Sequence, residues 1–199
     1  WTTVSDAEWG SYLFTLDHAA VDGDQALYFH QVLSAYRLFI DGVERASVGF
    51  PARSAAETQE MTAVQIVDIT ADSPSSTAVM WISSHSYFRK GLVHSFITGP
   101  STEVHRLRRA HMTSEGILLG LFVFAMLFNA ILGGISRFRV ASLWVALFCA
   151  NLALRTLFEG EYLILEFLGP MDWSIRARVV IVTSFAAPAL FAHYLNADF

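Results

Sequence analysis

Residues 116–135 carry no formal charge, and Asn129 is the only strongly polar side chain among them. At the rise of an α-helix such a run is about 30 Å long, the thickness of a bilayer's hydrocarbon core. Two more apolar runs follow, at about residues 140–158, with Arg155 near the end, and at about 179–195, with Pro188 inside. Residues 1–115, in contrast, hold 13 of the 18 acidic and 8 of the 13 basic side chains. The pattern predicts a chain in two parts: a front part that folds in water and a rear part of three membrane-spanning helices.

The front part reads as β-structure. Short apolar runs at 11–16, 26–31, 35–40, 43–48, 64–69, 78–83 and 92–98 are separated by turn-forming clusters. Asp41-Gly42 between two such runs signals a tight hairpin, because a primed turn needs positive φ at its centre. Val79, Met80, Trp81 and Ile82 are apolar at every position, which predicts a central strand buried on both faces. Residues 54–62 fit a short helix or a long loop. Many short strands at this spacing predict a sandwich of jelly-roll type.

Composition limits the function classes. The net charge is −5, and no basic stripe with interleaved aromatics is present, which argues against nucleic acid as a partner. Arg106, Arg108 and Arg109 cluster just ahead of the first apolar run, where headgroup anchoring is the simplest role. Cys149 is the only cysteine and falls in the second apolar run, so one chain has no disulfide framework. Nothing implies a cofactor. The chain starts at Trp1 and stops at Phe199, directly after an apolar run, so both ends are expected to be cut points.

The short link Ser136-Arg137-Phe138-Arg139 makes the first two spans a tight helical hairpin, and its arginines favour the cytoplasmic side. Glu159, Glu161, Glu166 and Asp172 follow the second span and suit the outer side. The β part is then outside and the Phe199 end inside. The expected division is residues 1–105 as a β-sandwich ligand-binding domain, 106–115 as a join and 116–199 as the helical membrane domain.

The order of these parts resembles the bacterial seven-transmembrane receptors with diverse intracellular signalling modules. Residues 35–42, Ala-Tyr-Arg-Leu-Phe-Ile-Asp-Gly, are similar to that family's strand and turn, with Asp41 where Asn is usual. Residues 84–91, Ser-His-Ser-Tyr-Phe-Arg-Lys-Gly, are similar to its segment after a buried strand, with His85 at the usual Asn. Gly120, Asn129 and Glu159-Gly160 resemble its small and polar membrane positions. The resemblance covers three of seven spans. It implies an inner-membrane receptor of several passes with a periplasmic sensor domain. A cytoplasmic output domain would lie outside this chain, which itself would be no enzyme.

Several side chains are candidates for a site. The loop after residue 83 offers His85, Tyr87, Phe88, Arg89 and Lys90, the mix of rings and planar donors that suits a carbohydrate. Alternatively the two rings pack beneath the loop and the cations are solvated. Trp9, Tyr12 and Trp81 form a second candidate stacking platform, although Trp81 in so apolar a strand is expected in the core. His18, His30, His85 and His94 share no tight ligand spacing, so no metal is expected. Gly116 and Gly120 form a GxxxG for close helix approach, within the bundle or across a homodimer. Asn129, Asn151, Arg155 and His193 are expected to face other helices and find polar partners. Arg155 either pairs with Glu159 at i, i+4 or snorkels to headgroups. No nucleophile constellation stands out: there is no G-x-S-x-G elbow, glycine-rich phosphate loop or closely linked acidic pair, although acidic partners can come from distant strands.

The expected function is sensing of a small periplasmic ligand, carbohydrate being the class the loop favours, with transmission through the helices. Two alternatives are a membrane-anchored carbohydrate-processing enzyme fragment and a transporter or channel fragment.

Overall fold

A computed structural model describes residues 8–18, 23–30, 32, 34–70, 74–86, 96–135 and 139–198. Eight strands come first: β1 (Trp9–Asp17), β2 (Gln25–Phe29), β3 (Ala35–Ile40), β4 (Val43–Val48), β5 (Met61–Thr62), β6 (Gln65–Ile69), β7 (Ser75–Ser83) and β8 (Ile97–Pro100). Helices α1 (Ser101–Ile135), α2 (Arg139–Phe158) and α3 (Leu163–Leu168), strand β9 (Met171–Asp172) and helix α4 (Trp173–Asp198) follow. The chain divides into two compact units. One holds Trp1–Arg109 with Gly169–Trp173, the other Ala110–Leu168 with Ser174–Phe199.

The first unit contains a four-stranded sheet, β1-β7-β3-β4, and a three-stranded sheet, β6-β2-β8, with all pairs antiparallel. The two sheets share one core, to which β2 gives Leu27 and Phe29, β3 gives Tyr36 and Leu38, and β7 gives Met80 and Ile82. Period-2 alternation puts these residues inside: along β1, Tyr12, Phe14 and Leu16 face the core while Trp9 and Leu13 face out. The hairpin at Asp41-Gly42 is as expected. Both residues have positive φ, 48° and 80°, as a type I′ turn requires. The Asp41 Oδ1 also accepts the Thr77 N–H at 2.8 Å. That bond, followed by the Ser76 hydroxyl, holds the Asp41 carboxyl below its ordinary range.

The outer face of the three-stranded sheet is covered by the start of α1. Val104 packs on Ala26 and Tyr28, so β2 is buried on both sides. The Ser101 hydroxyl donates to Asp68 Oδ1 at 2.6 Å, and His105 Nε2 lies 3.2 Å from each Asp68 oxygen. These contacts, Ser101 first and His105 after it, lower the Asp68 pKa. Helix α1 thus begins at Ser101, well ahead of the apolar run. Glu103 in its first turn favours the positive end of the helix dipole and pairs with Arg106 at 2.6 Å. Residues 54–58 form one hydrogen-bonded turn rather than a helix. Strand β5 pairs with β9, a pairing the sequence did not suggest.

In the second unit the apolar side chains are mostly open. Phe124, Leu127, Ile131, Val182 and Phe185 are all exposed, and the buried positions within α2 and α4 are small ones: Ala141, Ala146, Cys149, Ala153 and Thr183. Helices α1, α2 and α4 are long and apolar enough to cross a membrane. Helix α4 continues through Pro188, where two hydroxyls bond back into the preceding turn.

Candidate functional site

The outer face of the four-stranded sheet carries the feature that stands out. β7 is flanked by β1 and β3, and its odd-numbered residues from Thr77 to Trp81 point away from the core. Trp81 pairs in register with Ser11 on one side and Arg37 on the other. Its ring is 49% exposed and lies 5.1 Å from that of Phe39. The expectation of Trp81 in a doubly buried strand is therefore corrected: the run of four apolar residues at 79–82 hid an ordinary alternation, in which Met80 and Ile82 enter the core while Trp81 faces out.

Trp9 stands on the same outer face, at the β1 end of the sheet, and is 47% exposed. Trp9, Ser11, Ala52, Arg53, Trp81 and Ser83 line a cleft of about 340 Å³. The segment with Ala52 and Arg53 is fixed there by β7, because the Ser83 hydroxyl oxygen accepts the Ala52 N–H at 3.1 Å. The Thr58 hydroxyl donates to Ala52 O at 3.2 Å and tightens the same turn. Arg53 lies over the Trp9 ring, its Cζ 4.6 Å from the centroid. Two exposed indoles and a guanidinium thus meet in one concavity. Tyr12 does not join them. It sits three residues from Trp9 on β1, hence on the opposite face, and packs against the core.

His85 touches the cleft-lining segment at Ala52. Its Nδ1 is 2.8 Å from Glu8 Oε2 and its Nε2 is 3.3 Å from Ala52 O. Glu60 Oε1 accepts the backbone N–H groups of His85 and Ser86. These bonds fix the chain as it leaves β7. Tyr87, Phe88, Arg89, Lys90 and His94 lie outside the described residues.

The other histidines have plain partners. His18 is buried, with Nδ1 3.0 Å from Gln25 Oε1 and Nε2 2.9 Å from Ser76 Oγ, so it ties β1 to β2 and β7. His30 makes an edge contact with Tyr28. Among the described residues no group of three His, Cys, Asp or Glu side chains is placed to hold a metal ion.

Within the helical unit the expected polar positions separate. Arg155 and Glu159 form a two-point ion pair, Nε to Oε2 at 2.6 Å and Nη2 to Oε1 at 3.1 Å. Asn151 Nδ2 donates to Thr183 O at 2.9 Å and joins α2 to α4. His193 stacks on Trp144 at 4.6 Å between the same helices. Asn129 instead donates to Ala125 O in its own helix at 2.8 Å. The expectation of an interhelical partner fails for it, because a backbone carbonyl four residues back is already in reach. A side chain built at Gly116 or Gly120 would meet nothing within 4 Å, so the GxxxG packs on no neighbour among the described residues.

One cluster was not foreseen. The Glu115 carboxylate accepts the Glu161 N–H at 3.0 Å, and His111 Nδ1 lies 3.2 Å from the buried Glu161 Oε1. Gly160 makes this contact feasible: its φ is +65°, and an added Cβ would run into the Glu115 carboxylate. Arg176 lies over the ring of the buried Tyr162, 4.4 Å from its centroid.

Comparison with protein-family models, characterised proteins and solved structures finds no match for this chain.

Proposed function

We propose that this chain is the sensing and membrane-embedded part of a signalling receptor. The first unit, read as a jelly-roll-type sandwich on the periplasmic side of a bacterial inner membrane, binds a small carbohydrate in the cleft between Trp9 and Trp81. The second unit lies in lipid and passes the binding signal toward a cytoplasmic output domain outside this chain.

The observation that carries this reading is the pair of half-exposed indoles in one cleft with a guanidinium beside them. Exposed tryptophan in water costs hydrophobic free energy, and a contiguous aromatic concavity with a few polar groups is the usual form of a ligand site. Sugar rings present an apolar CH face to such indoles and hydroxyls to the donors around them. The chain also offers a route for the signal. The first turns of α1 are fixed to the β unit by Val104, Ser101 and His105, and the same helix supplies the first apolar span. A ligand can bias the helices only by its differential affinity for two states of the β unit. Contacts on α1 are where that difference would be felt.

The test is a glycan array probed with the purified chain in lipid nanodiscs, followed by incubation of each bound saccharide with the protein. Binding without release of new reducing ends is the expected result. Hydrolysis would move the cleft to the carbohydrate-processing alternative. No saccharide bound by the wild-type chain, or binding undiminished in Trp81→Ala, would reject the reading.

A further inference from the structure

Among the described residues lining the cleft, Arg53 carries the only formal charge. No carboxylate among the described residues pairs with it. Its partner among the described residues is the ring of Trp9. The contrast with Arg37 on the same sheet is instructive. Arg37 lies over the Phe50 ring in a similar way, but Glu44 sits 3.9 Å from its Nη1 and answers its charge. Arg53 is left, among the described residues, over the Trp9 ring with no carboxylate to answer its N–H groups.

Stacking on an indole restrains a guanidinium through its face and leaves the donors in its plane free to point outward. A guanidinium so held matches a carboxylate with two parallel N–H···O bonds, a geometry that neutral hydroxyls cannot answer with equal strength. An indole beside it takes the apolar side of a ring. The ligand that satisfies both is a ring with a CH face and an oxyanion attached to it. We propose, resting on the carbohydrate reading above, that the cleft selects acidic saccharides. Its ligand is a sugar unit bearing a carboxylate, which Arg53 receives while Trp9 and Trp81 hold the ring.

The experiment compares oligogalacturonate with its methyl ester, which keeps the ring and removes the charge. Affinities are measured by titration calorimetry on the full chain in nanodiscs of zwitterionic lipid. The acid should bind at least about tenfold more tightly than the ester, with the difference shrinking as salt is raised. Arg53→Gln should abolish the difference between acid and ester, and Arg53→Lys should restore only part of it, since an ammonium lacks the planar fork. Trp81→Ala should weaken both ligands. Because Arg53 is exposed, its variants should melt at the wild-type temperature, which separates lost recognition from lost folding. Equal affinity for acid and ester in the wild type, or a preference that survives in Arg53→Gln, overturns the acidic class while leaving a neutral-sugar sensor standing. If the wild type binds neither ligand and no saccharide on the array, the sensor reading falls and this inference with it. An equally strong preference for a sulfated neutral oligosaccharide over its unsulfated form would overturn the carboxylate assignment in favour of oxyanions in general.

Discussion

Leu38 and Leu127 are the same side chain in two different solvents. Leu38, in β3, has none of its surface exposed and belongs to the core that both sheets of the first unit share. Leu127, in α1, is 53% exposed, and its neighbours Phe124, Phe128 and Ile131 are exposed with it. The β unit satisfies the hydrophobic effect internally, by alternating its residues across two sheets. The helical unit leaves most of the apolar surface of its long helices facing outward, and α2 and α4 bury small residues. An aqueous protein does the reverse, so the second pattern makes sense only where the surroundings are as apolar as the side chains. Leu13 sharpens the point from the other side: it is 73% exposed but stands on the β unit, on the same outer face as Trp9.

That comparison can be broken by substitution. Leu38→Ala should cost about 2–5 kcal/mol, as large-to-small changes in closed cores do, and lower the melting temperature of the chain in detergent. Leu127→Lys should cost about 3 kcal/mol of insertion free energy if lipid surrounds α1, and reduce the yield of membrane-integrated protein. Leu13→Lys, at a more exposed leucine, should change stability by less than about 0.5 kcal/mol, since water already covers it. Equal tolerance of lysine at the two exposed positions would remove the distinction between the units.

Smaller effects refine it. Gly160→Ala places a methyl group against the Glu115 carboxylate at a left-handed backbone position, and should destabilise the helical unit by about 1–2 kcal/mol in a detergent melt. The smallest expected effect is an acid dependence of the β unit. The Asp68 carboxyl titrates below its ordinary 3.8 because the Ser101 hydroxyl and then His105 favour its charged form. Its contribution is therefore complete above pH 3.8 and is lost as the pH falls through the lower folded value. The exposed His105–Asp68 pair sets the scale at about 0.2–1 kcal/mol. Asp68→Asn should flatten the acid limb of the melting curve by that amount. A wild-type limb as flat as that of the variant would show that the fastening of α1 is energetically idle.

Much of this organisation was legible from residue type alone. The strands at 35–40 and 43–48 follow the expected bounds because Asp41-Gly42 fixes the hairpin's turn and so the register of both arms. The three apolar helices were legible because length and absence of charge are local properties. What escaped was decided by neighbours distant in sequence. Trp81 looked internal because residues 79–82 are all apolar, and only the pairing with β1 and β3 shows that one face of that strand is uncovered. Arg53 lay in a segment with no regular pattern, and the bond between Ala52 and Ser83 helps hold that segment beside β7, where Arg53 meets Trp9. The pairing of Met61–Thr62 with Met171–Asp172 joins residues more than a hundred positions apart. Glu115, Gly160 and Glu161 come together for the same kind of reason. A Gly next to two acidic residues is a weak sign of a turn. It becomes informative only once a carboxylate from another helix is known to face it.

The account depends most on lipid as the solvent of the helical unit, and alkaline carbonate extraction of cell membranes tests that directly. The chain should stay in the membrane pellet after the wash and require detergent for release. Release into the supernatant, as protein that is monodisperse without detergent, would contradict it.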